Sequence, residues 1–99
     1  MIPYRFLDPA EEEMNEASSY YEAASNGLGF DFLADVQFSI DSLCEYPSLG
    51  YAVGNGLRRK LLHRFPFSLI YSVEPDAILI IAVAHYGRRP GYWKIRVTP

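Results

Sequence analysis

The residues best suited to chemistry lie late in the chain. His85 carries an imidazole, which can give or take a proton near neutrality. Arg64, Arg88 and Arg89 carry guanidinium forks, whose geometry suits the oxygens of a phosphate or a carboxylate. Each also has a plainer reading. His85 ends an apolar run and can simply hydrogen bond there, closing a strand. Arg88 and Arg89 open an aromatic-rich tail that can pack back onto a sheet. His63, beside arginine in a turn, offers less. Two histidines in unrelated positions and one cysteine do not build a metal set. Gly54-x-Gly56 is no dinucleotide fingerprint, because it lacks a third glycine and precedes a strand pattern instead of a helix. No metal and no cofactor are expected.

Charge is segregated around these residues. Eight of the nine Lys and Arg lie at or after Arg58, where Glu74 and Asp76 are the only acids. The other ten acids precede it, accompanied by Arg5 alone. A basic half thus follows an acidic one. The net charge of −3 makes the long-range field mixed, a weaker pointer to nucleic acid than a basic protein would give. Ninety-nine residues, 49% of them hydrophobic, suit one domain over 1–99 with one core. Cys44 is the single cysteine, which excludes an internal disulfide and suits a reducing compartment. No apolar run approaches the roughly 18–20 residues of a membrane span, and no basic-then-apolar leader opens the chain. A cytoplasmic protein without a membrane partner is expected.

The elements that must position these groups can be read from periodicity. Ile2 to Leu7 alternates weakly and predicts a short first strand, with Pro3 placing it at an edge. Asp8-Pro9-Ala10-Glu11 predicts a helix start with Asp8 as cap and Glu11 completing a capping box. Glu12 and Glu13 extend a solvated acidic first turn that the helix dipole favours. Ala10, Met14, Ala17, Tyr21 and Ala24 form its apolar stripe, and Asn26-Gly27 ends it. A second helix is predicted from Gly29 to Tyr46, with Phe32, Leu33, Val36, Ile40, Leu43 and Cys44 on its buried arc and Pro47 as its stop. Cys44 therefore reads as a core residue. Phe38 falls nearly opposite that arc and is a candidate partner contact. Ser48 to Gly56 reads as a loop. The period then changes to two. Strands are predicted over Leu57–Leu62, Phe67–Val73 and Ile78–Ala84, with turns at His63–Pro66 and Glu74–Ala77. The last strand is apolar on both faces, so it must be central and covered twice. The helices can cover one side, leaving the other to the tail or a partner.

Three elements then carry a resemblance. Phe65-Pro66-Phe67-x-x-x-Tyr71, the apolar strand ending Ala82-Val83-Ala84-His85, and Arg88-Arg89-Pro90-Gly91-Tyr92-Trp93 together resemble the RelE/ParE family of bacterial toxins. The predicted order agrees along essentially the whole chain. The resemblance implies an α+β fold of order β-α-α-β-β-β, a helical hairpin on one face of a small, mainly antiparallel sheet. It implies the toxin half of a type II toxin–antitoxin module, neutralised by a cognate antitoxin. Two targets are known in the family: DNA gyrase, bound without chemistry, and mRNA on the ribosome, cut without a metal. For RNA cleavage His85 would be the acid or base, Arg64 and Arg88 would hold the phosphate, and Tyr86 or Tyr92 would stack a base. Three observations favour gyrase binding. The chain is acidic overall, no carboxylate of the basic half is placed to orient His85, and the tail reads as structural. Arg89, Tyr92, Trp93 and Phe38 are then the candidate partner contacts, since aromatic and Arg side chains dominate protein interfaces. The antitoxin is expected to cover the open apolar face of 78–84, and without it a second copy of the chain would do so.

Overall fold

A computed structural model describes residues 1–97. The α+β order expected from the sequence is present, with one strand more. β1 (Tyr4–Phe6) leads into α1 (Asp8–Ala24) and α2 (Leu28–Glu45). These are followed by β2 (Tyr51–Gly54), β3 (Leu57–Leu61), β4 (Phe67–Val73), β5 (Ile78–His85) and a 3-10 helix (Tyr92–Arg96). The strands form one sheet in the order β1-β5-β4-β3-β2, parallel only between β1 and β5. β5 is thus interior, as its two apolar faces required. Among the described residues no helix is long and apolar enough to cross a membrane.

The extra strand lies inside the stretch read as a loop. Its signal was Asn55-Gly56. Both residues have positive φ, 56° and 74°, as a two-residue type I′ hairpin turn demands. Gly54 pairs with Leu57 across that turn. Three glycines and a register shift between Ala52 and Gly54 hid the period-two pattern.

The start of α1 also differs from expectation. Asp8 is already helical. Leu7 occupies the cap position without a side-chain bond, and its carbonyl accepts from the Ala10 and Glu11 amides. Ala24 is exposed, so the apolar stripe stops a turn early. Where α1 meets α2, Gly29 lies so close that an added Cβ would stand 2.7 Å from the Ser18 carbonyl oxygen. The Glu22 carboxylate accepts from the Gly27 and Gly29 amides at 3.0 Å each and so caps α2 from outside it. Asp35, which falls outside the apolar arc, is nonetheless buried. It accepts from the backbone amides of His63 and Arg64 at 3.1 and 2.8 Å and pins the β3–β4 turn to α2.

The sheet separates two apolar clusters. On one face Phe32, Val36, Ile40 and Leu43 of α2 pack on Leu69, Tyr71, Ile78, Ile80 and Val83, and Cys44 joins them as a buried core thiol. On the other, Trp93 of the 3-10 helix packs with Leu57, Ile70, Ile81, Ala82 and Ala84. The tail, not an open face, therefore covers the second side of β5. This corrects the expectation that an antitoxin must lie there. A bulge sets which β5 residues face which way: Ile70 pairs with Ala82 and Tyr71 with Ile80, leaving Ile81 as an extra residue. Ile81 and Ala82 consequently both face the tail.

Tyr71 ties the sheet to the loop after α2. Its hydroxyl donates to the Pro47 carbonyl at 2.7 Å and accepts from the buried Gly50 amide at 2.9 Å. Tyr71→Phe is expected to cost about 1–3 kcal/mol, because it strands a buried amide. Urea denaturation checks this, and a parent-like midpoint would show the hydroxyl does not hold the loop.

Candidate functional site

The site grows from the end of β5, where backbone pairing runs out. β1 covers β5 only from Ile78 to Ile80, and the Leu7 amide closes that ladder on the Ile80 carbonyl. Beyond it the edge groups of β5 must find other partners. Glu13 of α1 and Arg96 of the 3-10 helix provide them. Glu13 Oε1 accepts from the Val83 amide at 3.0 Å, and Arg96 Nη1 donates to the Ile81 carbonyl at 2.9 Å. The two side chains join through a bidentate ion pair of 2.8 and 2.9 Å. Tyr92 donates its hydroxyl to Glu13 Oε2 at 2.6 Å, and Arg88 Nη1 lies 3.6 Å from the same oxygen. Arg88 also sits 3.9 Å from the centre of the Tyr92 ring.

Glu13 was read as part of a solvated acid run, yet its side chain is only 12% exposed. Burial pushes its carboxyl up. Hydrogen bonds from Arg96, Tyr92 and the Val83 amide, with the Arg96 charge, outweigh that and hold it below its ordinary value of 4.5. The bond to Glu13 raises Arg96. Burial, with the bond to Glu13, raises Tyr92. Sequence spacing put Glu13 on the acid turn and gave no sign of a partner at position 96.

Two depressions flank this anchor, and His85 and Arg88 line both. The larger is a cleft of about 320 Å³ between the tail and β3–β5. Arg59, Leu61 and Ser68 come from the sheet, and Tyr86, Pro90 and Trp93 close it from the tail. The other, of about 210 Å³, adds Glu13 and Glu16 of α1. His85 is exposed, its ring 5.0 Å from that of Phe67, and Nδ1 accepts from the Gly87 amide at 2.8 Å. This hydrogen bond lies within its own turn. Arg64 lines neither depression. It stands in the β3–β4 turn, 3.7 Å from Asp31 and over the Phe65 ring at 5.7 Å. The structure thus brings His85 and Arg88 together and leaves Arg64 apart. Among the candidate partner contacts, Arg89 is exposed, Tyr92 is half-buried, and Trp93 is core at 5% exposure. Phe38 is exposed on α2 beside the His63 ring at 5.2 Å. Arg59 and Ser68 were not singled out from sequence. Ser68 and Ser72, on the half-polar face of that strand, were the available signal.

Two helices on a mostly antiparallel sheet, closed by a tail pinned through an acid of the first helix, define a small α+β domain. Residues 4–90 match the family described as the ParE toxin of the type II toxin-antitoxin system parDE, and the chain belongs to that family. Among solved structures it is similar to a chain of the chromosomal ParDE toxin–antitoxin system of P. aeruginosa. There the TM-score is 0.72 and identity 19%, over 86% of this chain and 96% of that one. It is also similar to a chain of the RelBE2 toxin–antitoxin complex of Mycobacterium tuberculosis, with TM-score 0.59 and 18% identity over 85% and 96%. No match was found among curated protein sequences.

Glu13→Gln is expected to cost about 2–4 kcal/mol, since it leaves the shielded Arg96 without a counter-charge. Glu12→Gln, on the exposed side, should change stability by less than about 0.5 kcal/mol. The Glu13 contribution is complete above its ordinary value and is lost as pH falls through the lower folded one. Thermal melts of parent and Glu13→Gln should therefore draw together progressively as pH falls below 4.5. A constant gap down to pH 2 would contradict this.

Proposed function

We propose that the protein is a growth-arresting toxin that binds and inhibits DNA gyrase without catalysing a reaction, and that a cognate antitoxin neutralises it. The observation that carries this reading is the family match over residues 4–90, whose description is that of the parDE module. The two similar structures, both from toxin–antitoxin systems, support an antitoxin partner.

The site's geometry is consistent with binding in place of cleavage. Metal-free RNA cleavage needs two proton carriers around the phosphate. His85 can be one. Of the neighbouring carboxylates, Glu13 is committed to Arg96, Tyr92 and the Val83 amide, and Glu16 is exposed. Arg88 is drawn toward Glu13 and Tyr92, and Arg64 is elsewhere. Meanwhile the helical hairpin exposes Tyr20, Phe30 and Phe38 at 72, 75 and 57%, groups suited to a protein partner. A ribonuclease remains the alternative reading, favoured by His85 and Arg88 lining one cleft.

His85→Ala is expected to keep most growth arrest in cells and most inhibition in a gyrase supercoiling assay. Arg89→Ala should weaken both without loss of fold, since Arg89 is exposed. For a ribonuclease, His85→Ala would instead lower cleavage about 10² to 10⁴-fold. Loss of toxicity in a folded His85→Ala protein that still binds antitoxin, with ribosome-dependent mRNA cleavage by the parent, would overturn the gyrase reading. A cut before Arg88 is a poor test, because it also removes Trp93 and Arg96.

A further inference from the structure

The larger cleft has a floor built from one row of the sheet. On the tail face Leu61 pairs with Ser68, and Ser68 with Ala84. Two small residues in the middle of that row leave a hollow where larger side chains would fill the sheet. Arg59 lies one row along, opposite Ile70. It is a diagonal neighbour of Ser68 on the same face, with Cα atoms roughly 7–8 Å apart. Its guanidinium sits 5.0 Å from the centre of the Trp93 ring. A guanidinium held over an aromatic face offers its N–H groups in its own plane, outward from the ring edge.

Two polar groups in this hollow have no hydrogen-bond partner among the described residues. Ser68 Oγ, on a residue that is 0% exposed, and Arg59 Nε are both buried without a hydrogen bond. Buried polar groups in folded proteins are paired, and exceptions call for an occupant. Both can donate. With Arg88 and His85 at the mouth and no carboxylate among the described lining residues, the hollow suits an acceptor with negative charge.

We propose that this cleft is a carboxylate-binding site, in which Ser68 Oγ and the Nε edge of Arg59 receive the aspartate or glutamate side chain of a protein partner. The proposal rests on the reading that this protein works by binding protein. Leu61, Tyr86, Pro90 and Trp93 give the cleft apolar walls that suit the methylene stem of such a side chain. Phosphate fits less well. A nucleic-acid strand leaving the cleft past His85 and Arg88 meets Glu13 and Glu16 in the adjoining depression. A peptide with a single acid carries no further charge into that field.

Trp93 is the only tryptophan, so its emission reports the cleft directly. The full chain is titrated with the blocked peptide acetyl-Leu-Glu-Leu-amide, its glutamine counterpart, inorganic phosphate and uridine 5′-monophosphate. The glutamate peptide is expected to give a saturable change and the glutamine peptide to bind at least tenfold more weakly. Ser68→Ala should weaken the glutamate peptide three- to tenfold, and Arg59→Met at least tenfold. Ser68→Ala removes one oxygen, so it stands as the decisive variant where Arg59→Met does not fold. Absent saturable binding, unchanged affinity in folded Ser68→Ala, or tighter binding of phosphate or the nucleotide each overturns the proposal. A parallel supercoiling assay keeps the two readings apart. Peptide binding without gyrase inhibition removes only the gyrase target, and inhibition without peptide binding removes only this site.

Discussion

The edge of β5 sets the constraint on which the rest of the structure depends. An eight-residue strand lies beside a three-residue β1, so the last part of its edge has no paired strand among the described residues. A helix acid and a tail arginine take the place of that missing strand. The Val83 amide is capped by Glu13, the Ile81 carbonyl by Arg96, and the two are joined to each other. Burying a carboxylate is costly alone. Here the Val83 amide, the Tyr92 hydroxyl and the bidentate Arg96 guanidinium together outweigh the desolvation, which is why the carboxyl is held below its ordinary value. The interaction links the first helix, the interior strand β5 and the last turn of the described chain, elements up to 83 residues apart.

From that link the site follows. Once Arg96 is fixed, the 3-10 helix lies across the sheet and Trp93 is pressed against Ile70, Ile81, Ala82 and Ala84. The bulge at Ile81 matters here, because it turns two consecutive side chains toward the tail and gives Trp93 an apolar bed. Tyr92 meets Glu13, and Arg88 stacks on Tyr92. The cleft is the space left over where the row Leu61, Ser68, Ala84 is too small to reach the tail. A structural ion pair and a functional hollow are thus two consequences of one docking event. Groups proposed for binding are also ones that shape the fold, and the exposed ones, Phe38 and Arg89, are where binding can be altered with least structural cost.

Local periodicity determined much of this protein. The change from a helical to a two-residue period at Leu57, the buried arc of α2 and the doubly apolar run of β5 required a helical hairpin on a sheet with β5 inside it. The Phe-Pro-Phe and Arg-Arg-Pro-Gly-Tyr-Trp elements were enough to indicate the family. Asn55-Gly56 announced a hairpin too, but the glycines around it broke the alternation that would have identified β2. Other features were decided only in three dimensions. Glu13 and Asp35 sit on polar arcs of their helices, and spacing along a helix shows which side a residue faces, not which distant amide or guanidinium will meet it. Arg59 and Ser68 are nine positions apart with a turn between them, and only the pairing register of β3 with β4 makes them neighbours in one hollow. Period fixes the face of an element because it is set by the backbone's own geometry. The partners of a buried charge and the shape of a cleft depend on how separate elements dock, which long-range packing alone decides.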